Sequence, residues 1–281
     1  GYIMVFPRTE VSFFSTDHQQ FGWDLQFLVT KIQDEGINIL SPIYNVVANN
    51  TALMGHSMGG GASFLAADSL CTNGNNQLKT IIGLAPAEST TNGVSSITSA
   101  ANIIIPSLIF SGSQDGVTPP NVHHIPIYES LNSDFKTFIS ILGGGHCYFS
   151  NPSFTCDFGE NVSSSGISLT RQEQQAITYD FLNFWLDYTL KDDCTDFFNF
   201  QDILFLSNDV EYYQVNTQTE NCEENIDGDI NFDNFVNVTD IILLVNTILS
   251  NQSYNNLYDL NNDNLLNITD IIILINLILD N

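Results

Sequence analysis

A glycine-flanked serine, Ser57, is the strongest chemical signal in the sequence. The segment Gly55-His56-Ser57-Met58-Gly59 fits the G-x-S-x-G pattern, follows the apolar run 52–54 and precedes a helical pattern over 59–70. In this strand–turn–helix setting a serine is held in a strained turn, and small neighbours let strand and helix approach. The backbone N–H of Met58 would then point to where a tetrahedral oxyanion forms. We therefore predict Ser57 as a nucleophile and Met58 as an oxyanion donor.

A serine hydroxyl becomes an effective nucleophile only with a base and an orienting carboxylate. Asp115 lies in a polar, glycine-containing loop after the apolar run 107–111, and His146 follows a glycine run after 137–142. Both positions are at the ends of predicted strands, where α/β sheets carry their chemistry. The order Ser57, Asp115, His146 along the chain predicts a catalytic triad.

Other histidines and carboxylates compete for these roles. His56 lies inside the turn and is expected to point into the structure, and His18 is a further competitor. His123 and His124 precede a predicted helix over 126–131 and are expected in the cap region or at the rim of the site, with a place in the cleft as the alternative. None of the rival carboxylates follows the penultimate strand, so Asp115 ranks first. Those rivals are Asp17, Asp24 and Asp134.

The elements needed to position these residues alternate along the first two hundred residues. Apolar runs at 2–6, 52–54, 80–84, 107–111 and 137–142 predict buried parallel strands. Helical patterns lie at 22–35, 59–70, 126–131 and 170–190, and the aromatic residues of the last helix are expected in the core. The fold class predicted is α/β, with a doubly wound, mostly parallel sheet.

The charge balance restricts the possible partners. The 281 residues include 6 Lys+Arg against 32 Asp+Glu, a formal net charge of −26. Binding to nucleic acid is therefore not expected, because phosphate recognition needs a positive field. The acidity fits both solubility in salty water and a set of calcium ligands, and these two readings stay open. No run of 18 apolar residues predicts a membrane span.

A near-repeat with thirty-residue spacing covers residues 229–240 and 259–270 and carries oxygen side chains at loop positions 1, 3, 5, 9 and 12. This spacing is EF-hand-like and predicts a calcium-binding module with a helix after each loop, at 241–249 and 271–279. Asn234 and Asn264 occupy position 6, where a left-handed backbone is needed. The predicted ligands are Asp229, Asn231, Asp233, Asn237 and Asp240, then Asp259, Asn261, Asp263, Asn267 and Asp270.

The five cysteines form no zinc pattern. Cys147 and Cys156 flank a short polar loop beside His146, and Cys194 and Cys222 flank the segment that joins the two halves. We predict these two disulfides and a free Cys71, typical of an oxidising compartment; the alternative is five thiols in a reducing one.

The first 190 residues resemble the cutinase-like, polyester-cleaving branch of the α/β-hydrolases. The resemblance rests on the elbow sequence over 55–61, on Ile105-Pro106 before the acid strand and on the loop around Asp115. It implies the same triad and the Met58 oxyanion donor. That family's polyesterases place a tryptophan after the strand 80–84, whereas this chain has Leu84-Ala-Pro-Ala87-Glu88, a departure that counts against activity on aromatic polyesters. Residues 1–6 align with a strand already inside the domain, so a longer natural protein or a fragment is expected.

The repeat resembles the type I dockerin, in which the final ligand is aspartate, and this resemblance implies calcium and a cohesin partner. The expected domains are a hydrolase at 1–192, a linker at 193–224 and a dockerin-like module at 225–281. The leading hypothesis is a secreted serine ester hydrolase that forms an acyl-enzyme, cutinase-like or polyester-cleaving. Feruloyl, acetyl or lipid esters are alternative substrates, and a non-catalytic, calcium-dependent attachment protein is the alternative of another class.

Overall fold

The computed structural model describes residues 1–7, 17–48, 50–88, 93–217, 222, 228–231, 235–250, 258–261 and 263–280. The chain divides into two compact units. The first comprises residues 1–192 with 207–218, and the second comprises 193–206 with 219–281.

The first unit alternates strands and helices. Its strands are β1 (Thr51–His56), β2 (Leu78–Leu84), β3 (Ser107–Gly112), β4 (Phe135–Ile141) and β5 (Val210–Asn216). Its helices are α1 (His18–Ile37), α2 (Met58–Thr72), α3 (Ser96–Ala100), α4 (His124–Ser130), α5 (Phe154–Ser163) and α6 (Arg171–Lys191), with a short 3-10 helix at Cys147–Phe149.

The five strands form one sheet in the order β1-β2-β3-β4-β5. The first four strands are parallel, and β5 pairs antiparallel with β4. The carboxyl ends of β1, β3 and β4 therefore lie along one edge of the sheet. The loops that carry Ser57, Asp115 and His146 leave from that edge.

Helices cover both faces of the sheet. Ile81 of β2 belongs to a buried cluster with Ala62 and Phe64 of α2. The neighbouring Thr80, which points to the opposite face, accepts a hydrogen bond of 2.8 Å from the Trp185 indole N–H of α6. Aromatic residues of α6 were predicted in the core, and Trp185 is fully buried there, confirming the doubly wound α/β class.

Two sequence predictions differ from the structure. Residues 2–6 form no strand, and their apolar side chains are exposed, because no described strand pairs with them. The segment 193–224, expected as a linker, contains helix α7 (Cys194–Leu206) and strand β5. Most residues of β5 are exposed, so the strand lacks the apolar run that marks the buried parallel strands in the sequence.

The described part of the second unit contains α7, α8 (Val238–Leu249) and α9 (Ile268–Asp280). Leu244 of α8 and Leu274 of α9 are fully buried in one cluster with Ile230, so the two apolar helices pack on each other. In the described parts of the chain, no helix has both the length and the apolarity to cross a bilayer.

Candidate active site

Ser57 lies in a sharp turn between β1 and α2, as the motif predicts. Its backbone has φ +55° and ψ −122°, a left-handed conformation that is strained for a residue with a side chain. The turn brings backbone segments so close that a Cβ atom on Gly55 would lie 2.2 Å from the Gly59 carbonyl oxygen. Glycine is required there, and Ser57 is left partly exposed at the carboxyl edge of the sheet.

The structure brings the three predicted triad residues together. The Ser57 Oγ lies 2.9 Å from His146 Nε2, and His146 Nδ1 lies 2.7 Å from Asp115 Oδ2. Both distances are those of hydrogen bonds. His146 and Asp115 are buried, whereas Ser57 is accessible, so the array runs from the interior to the surface.

Asp115 is held as a carboxylate by donors on both oxygens. Its Oδ1 accepts from the backbone N–H groups of Val117 and Thr118, at 2.9 and 2.7 Å, and its Oδ2 accepts from the Thr118 hydroxyl at 2.9 Å. Burial alone would raise the pKa of Asp115, but the hydrogen bonds from His146 and from the Thr118 backbone, with the attraction of His146, lower it overall. Asp115 is therefore ionised at neutral pH.

The loop that carries His146 is fixed through its backbone. The buried Gln174 side chain accepts from the Gly145 N–H and donates to the Gly145 carbonyl, each at 2.8 Å. The Glu160 carboxylate accepts from the His146 N–H at 2.9 Å. These contacts, with the adjacent Cys147–Cys156 disulfide, limit the movement of the imidazole.

His56 lies where the sequence predicts, and the partial exposure of His123 agrees with a position at the rim. His56 points inward, with its Nε2 3.0 Å from the His146 carbonyl oxygen, and burial followed by repulsion from His146 lowers its pKa to about 4. His123 is partly exposed, and its Nδ1 accepts from the Glu88 N–H at 2.9 Å.

The expectation for His124 is wrong. It is not a rim residue but is fully buried behind Asp115, because α4 begins at His124 and directs this side chain into the core. Its ring contacts the hydroxyl groups of Ser111 and Thr118, at 2.8 and 3.0 Å.

Sequence reasoning also missed Thr118, Glu160 and Gln174. Thr118 lies three residues after Asp115, the spacing at which an aspartate accepts from a following backbone N–H, and this local pattern could have identified it. Glu160 and Gln174 reach the His146 loop from α5 and α6, and no local pattern marks such distant contacts.

Met58 is the first residue of α2. The first N–H groups of a helix lack an intrahelical acceptor, and the helix dipole adds partial positive charge at this end. This placement fits the oxyanion role expected for Met58.

The second unit contains the two predicted calcium loops, with Asp233 and Asn234 outside the described residues. The described residues of the two loops make matching contacts: Asp240 accepts from the N–H groups of Ile230 and Asn237, both at 2.8 Å, and Asp270 accepts from those of Leu260 and Asn267, at 3.0 and 2.9 Å. This correspondence confirms the internal repeat at the level of structure.

The donor chemistry of the loops fits a hard cation. Asp229, Asp240, Asp259 and Asp270 are buried, and burial of carboxylates is costly without compensating positive charge. Asn264 adopts φ +66°, the left-handed turn expected at position 6.

Other predicted ligands already have protein partners. The Asn231 side-chain amide donates to the Asp202 carboxylate. The Asp263 carboxylate accepts from the Leu265 N–H at 2.8 Å, and the Asp263 N–H donates to Asn261 Oδ1. Asn237 and Asn267 cap α8 and α9 by accepting from Thr239 and Thr269, each at 2.8 Å. Within the described residues, no three His, Cys, Asp or Glu side chains converge as a metal-binding group.

Both predicted disulfides are present, Cys147–Cys156 and Cys194–Cys222, and Cys71 is free, which confirms the predicted pairing.

A mostly parallel sheet covered by helices on both faces, with a serine at a strand-to-helix elbow, defines an α/β-hydrolase. The family model "PET hydrolase-like" matches residues 14–171, more than half of the chain, and the chain belongs to this family of hydrolases. Residues 227–279 match the type I dockerin domain, a calcium-binding module. Among curated proteins, none gave a significant match to the sequence.

Proposed function

We propose that this chain hydrolyses carboxylic esters through an acyl-enzyme, with Ser57 as nucleophile, His146 as general base and acid, and Asp115 as the group that orients the imidazole. The observation that carries the proposal is the unbroken hydrogen-bonded array from Asp115 Oδ2 through His146 to Ser57 Oγ, at 2.7 and 2.9 Å.

The reaction follows from this arrangement. His146 Nε2 takes the Ser57 proton as Oγ attacks the ester carbonyl, and the Met58 N–H donates to the oxyanion that forms. His146 then returns the proton to the leaving alcohol, and the acyl group stays on Ser57. Water, activated by the same imidazole, attacks the acyl-enzyme and releases the acid.

The acyl side of the site supports aliphatic esters over aromatic ones. Ala87 belongs to the segment after β2 in which the resembling polyesterases carry a tryptophan, and it lies beside the nucleophile, with its N–H donating to the Ser57 carbonyl at 2.9 Å. A methyl group offers no ring on which an aromatic acyl group could stack. We therefore propose aliphatic esters, including aliphatic polyesters, as substrates.

The test is hydrolysis of p-nitrophenyl esters of short and medium chain length by the full chain and by Ser57→Ala. The variant should lose essentially all turnover, whereas Ser69→Ala, a substitution on the same helix, should not. Feruloyl and acetyl esters, a triglyceride, an aliphatic polyester film and an aromatic polyester film then define the substrate class. A folded chain that hydrolyses none of these would support a non-catalytic attachment protein instead.

The second unit supports a proposed role in attachment. When bound, calcium would hold each loop against its following helix, through Asp229, Asp240, Asp259 and Asp270, with the other predicted positions completing the shell. Apolar side chains of α8 and α9 are exposed on this unit, and they would suit a cohesin-type protein partner. These residues are Ile242, Leu249, Ile272, Ile275 and Leu279.

We also propose an extracellular location, because disulfides persist in oxidising compartments and the chain has two. Binding to a cohesin in the presence of calcium, lost after chelation, would test the attachment role.

A further inference from the structure

A buried polar cluster lies behind Asp115, and within it only the Thr118 hydroxyl reaches the predicted triad, 2.9 Å from Asp115 Oδ2 and 2.8 Å from His146 Nδ1. His124 and Ser111 are fully buried, and Thr118 is 6% exposed. The two ring nitrogens of His124 each meet a hydroxyl group, Nδ1 that of Ser111 at 2.8 Å and Nε2 that of Thr118 at 3.0 Å. Burial of an imidazole and two hydroxyl groups is costly unless every proton has an acceptor, so the direction of each hydrogen bond matters.

The direction can be worked out from the catalytic end. His146 Nε2 faces the Ser57 hydroxyl, so the proton of a neutral His146 base is on Nδ1 and is donated to Asp115 Oδ2. A carboxylate only accepts, so the Thr118 hydroxyl also donates to Oδ2, at 2.9 Å. The Thr118 oxygen is then an acceptor for His124, whose proton must be on Nε2.

The same reasoning continues to Ser111. With Nε2 protonated, Nδ1 of a neutral His124 is an acceptor, and the Ser111 hydroxyl donates to it. The opposite tautomer would draw the Thr118 proton away from Asp115. It would also leave the Ser111 proton without an acceptor among the described residues.

His124 is neutral in this environment. Burial holds its pKa at about 3; the attraction of Asp115 opposes this shift, and the neighbouring His146, His123 and His56 reinforce it. The His124 Nε2 and Asp115 Oδ2 atoms are 3.8 Å apart, too far for a direct hydrogen bond, so the Thr118 hydroxyl provides the connection.

We propose that Ser111, His124 and Thr118 form a directed hydrogen-bond chain that ends on Asp115 and makes His124 a positioning residue for the catalytic carboxylate. The inference rests on the proposed esterase function. All three protons point the same way, so each bond polarises the next and strengthens the donation to Oδ2. Donors on both oxygens fix the rotation of the carboxylate, which keeps Oδ2 facing His146 Nδ1.

The first test measures the tautomer of His124 in the full chain by ¹⁵N-detected imidazole NMR. The expected result is a neutral ring with its proton on Nε2 at neutral pH. In Thr118→Val, which removes the acceptor of the Nε2–H group, a mixture of tautomers is expected. A proton on Nδ1 in the unmodified chain, or a charged ring, would overturn the proposal, and neither result depends on esterase activity.

The second test uses ester hydrolysis by Thr118→Val, which removes the hydroxyl and keeps the backbone N–H. We expect kcat to fall about tenfold, because the Asp115 carboxylate loses a hydrogen-bond donor. KM should stay unchanged, because Thr118 does not contact the substrate. The acid limb of the kcat/KM profile should move to higher pH, since a carboxylate with one donor fewer holds the protonated imidazole more strongly. Thr118→Ser should restore both quantities.

Substitutions of His124 distinguish a role in the directed hydrogen-bond chain from a role in packing alone. His124→Gln can accept from Ser111 and donate to Thr118, whereas His124→Leu can do neither, so the glutamine variant should retain more of kcat. Thr189→Val, which removes a buried hydroxyl bonded to the Trp185 carbonyl, is the matched control and should leave the pH profile unchanged.

The outcomes distinguish the two proposals. If the unmodified chain shows no esterase activity that depends on Ser57, the proposed function fails, and the tautomer of His124 still tests the directed hydrogen-bond chain. If that activity is present but Thr118→Val and His124→Leu keep the same kcat and the same pH profile, the directed hydrogen-bond chain is wrong while the esterase proposal stands.

Discussion

The Glu160 carboxylate accepts a hydrogen bond from the backbone N–H of His146 over 2.9 Å, and it is buried together with the histidine. Its second oxygen accepts from the Cys147 N–H at 2.5 Å. We expect Glu160→Gln to destabilise the first unit by about 1–3 kcal/mol, because an amide N–H₂ group must then face a backbone donor. The kcat for ester hydrolysis should fall as the imidazole loses its fixed position.

Urea unfolding followed by tryptophan fluorescence measures this effect, since both tryptophans, Trp23 and Trp185, belong to the first unit. Glu173→Gln is the control, because Glu173 caps α6 at its exposed start and glutamine also serves at that position. Equal stability and equal kcat in the two variants would contradict the role given to Glu160.

Two glycines after the elbow should respond differently to alanine. A Cβ atom on Gly61 would lie 2.1 Å from the Ala87 carbonyl oxygen, whereas one on Gly59 would lie 3.6 Å from the Phe21 ring. Gly61→Ala must therefore displace backbone next to Ser57, and we expect a loss of more than about 2 kcal/mol in stability together with most activity. Gly59→Ala should fold normally, because its contact is ordinary and alanine favours a helix. Thermal unfolding of the two variants in parallel measures the difference in stability, and equal midpoints would contradict this expectation.

The Cys147–Cys156 disulfide closes a loop beside His146 with a sequence separation of 9. Replacement of both cysteines by serine should cost about 2–3 kcal/mol of stability from loop entropy and should also lower kcat, because the 3-10 helix after His146 loses its anchor. The matched control is the double serine variant of Cys194 and Cys222, a pair in the second unit. That control should keep the kcat of the unmodified chain; an equal loss in both variants would mean that the first disulfide has no specific effect on the site.

The positions of Ser57, Asp115 and His146 at the carboxyl edge of the sheet could be predicted because each depends on a local signal. Ser57 lies in a short motif, and Asp115 and His146 each follow an apolar run that forms a strand. The supporting shell was not predictable in this way. Glu160 and Gln174 contact His146 and Gly145 from other helices, and such contacts depend on tertiary packing.

The N-terminal segment and β5 show that apolar runs alone do not predict which segments form strands. The run 2–6 has strand-forming residues but no strand partner among the described residues, and backbone groups need partners to form a sheet. Conversely, β5 is exposed along most of its length, yet it pairs with β4 over seven residues. Pairing is a long-range property, so it is weakly encoded in either segment.

Acid should destabilise the first unit through two histidines whose pKa values are lowered, the partly buried His56 and the fully buried His124. His56 and His124 have pKa values of about 4 and about 3 in the folded chain, lowered mainly by burial, against about 6.5 when unfolded. Below about pH 6.5 the unfolded state binds protons that the folded state does not, so stability falls as pH falls. Each histidine contributes up to roughly 1.4 kcal/mol per pH unit, down to about pH 4.

Asp115 acts in a lower range, because its pKa is below the ordinary value and its stabilising effect is lost only as pH falls through that folded value. Urea unfolding at a series of pH values, read by tryptophan fluorescence, measures the slope. His124→Gln removes one of the two histidines and should reduce it. A stability that stays constant between neutral pH and about pH 4.5 would show that the two imidazoles are not buried as neutral groups.

Calcium should stabilise the second unit through its buried carboxylates. Asp240 and Asp270 are fully buried and hold the start of each loop, and without a cation the acidic side chains repel one another. We expect calcium to raise the thermal midpoint of the second unit and chelation to lower its helix content, while tryptophan fluorescence of the first unit stays unchanged.

Asp240→Asn and Asp270→Asn should each weaken calcium binding by about tenfold or more, because a neutral amide replaces a charged oxygen ligand. Titration calorimetry with calcium chloride measures this, and Glu211→Gln on exposed β5 is the charge-matched control. Unchanged affinity in both aspartate variants would show that the matching hydrogen bonds of Asp240 and Asp270 serve the local fold and not metal binding.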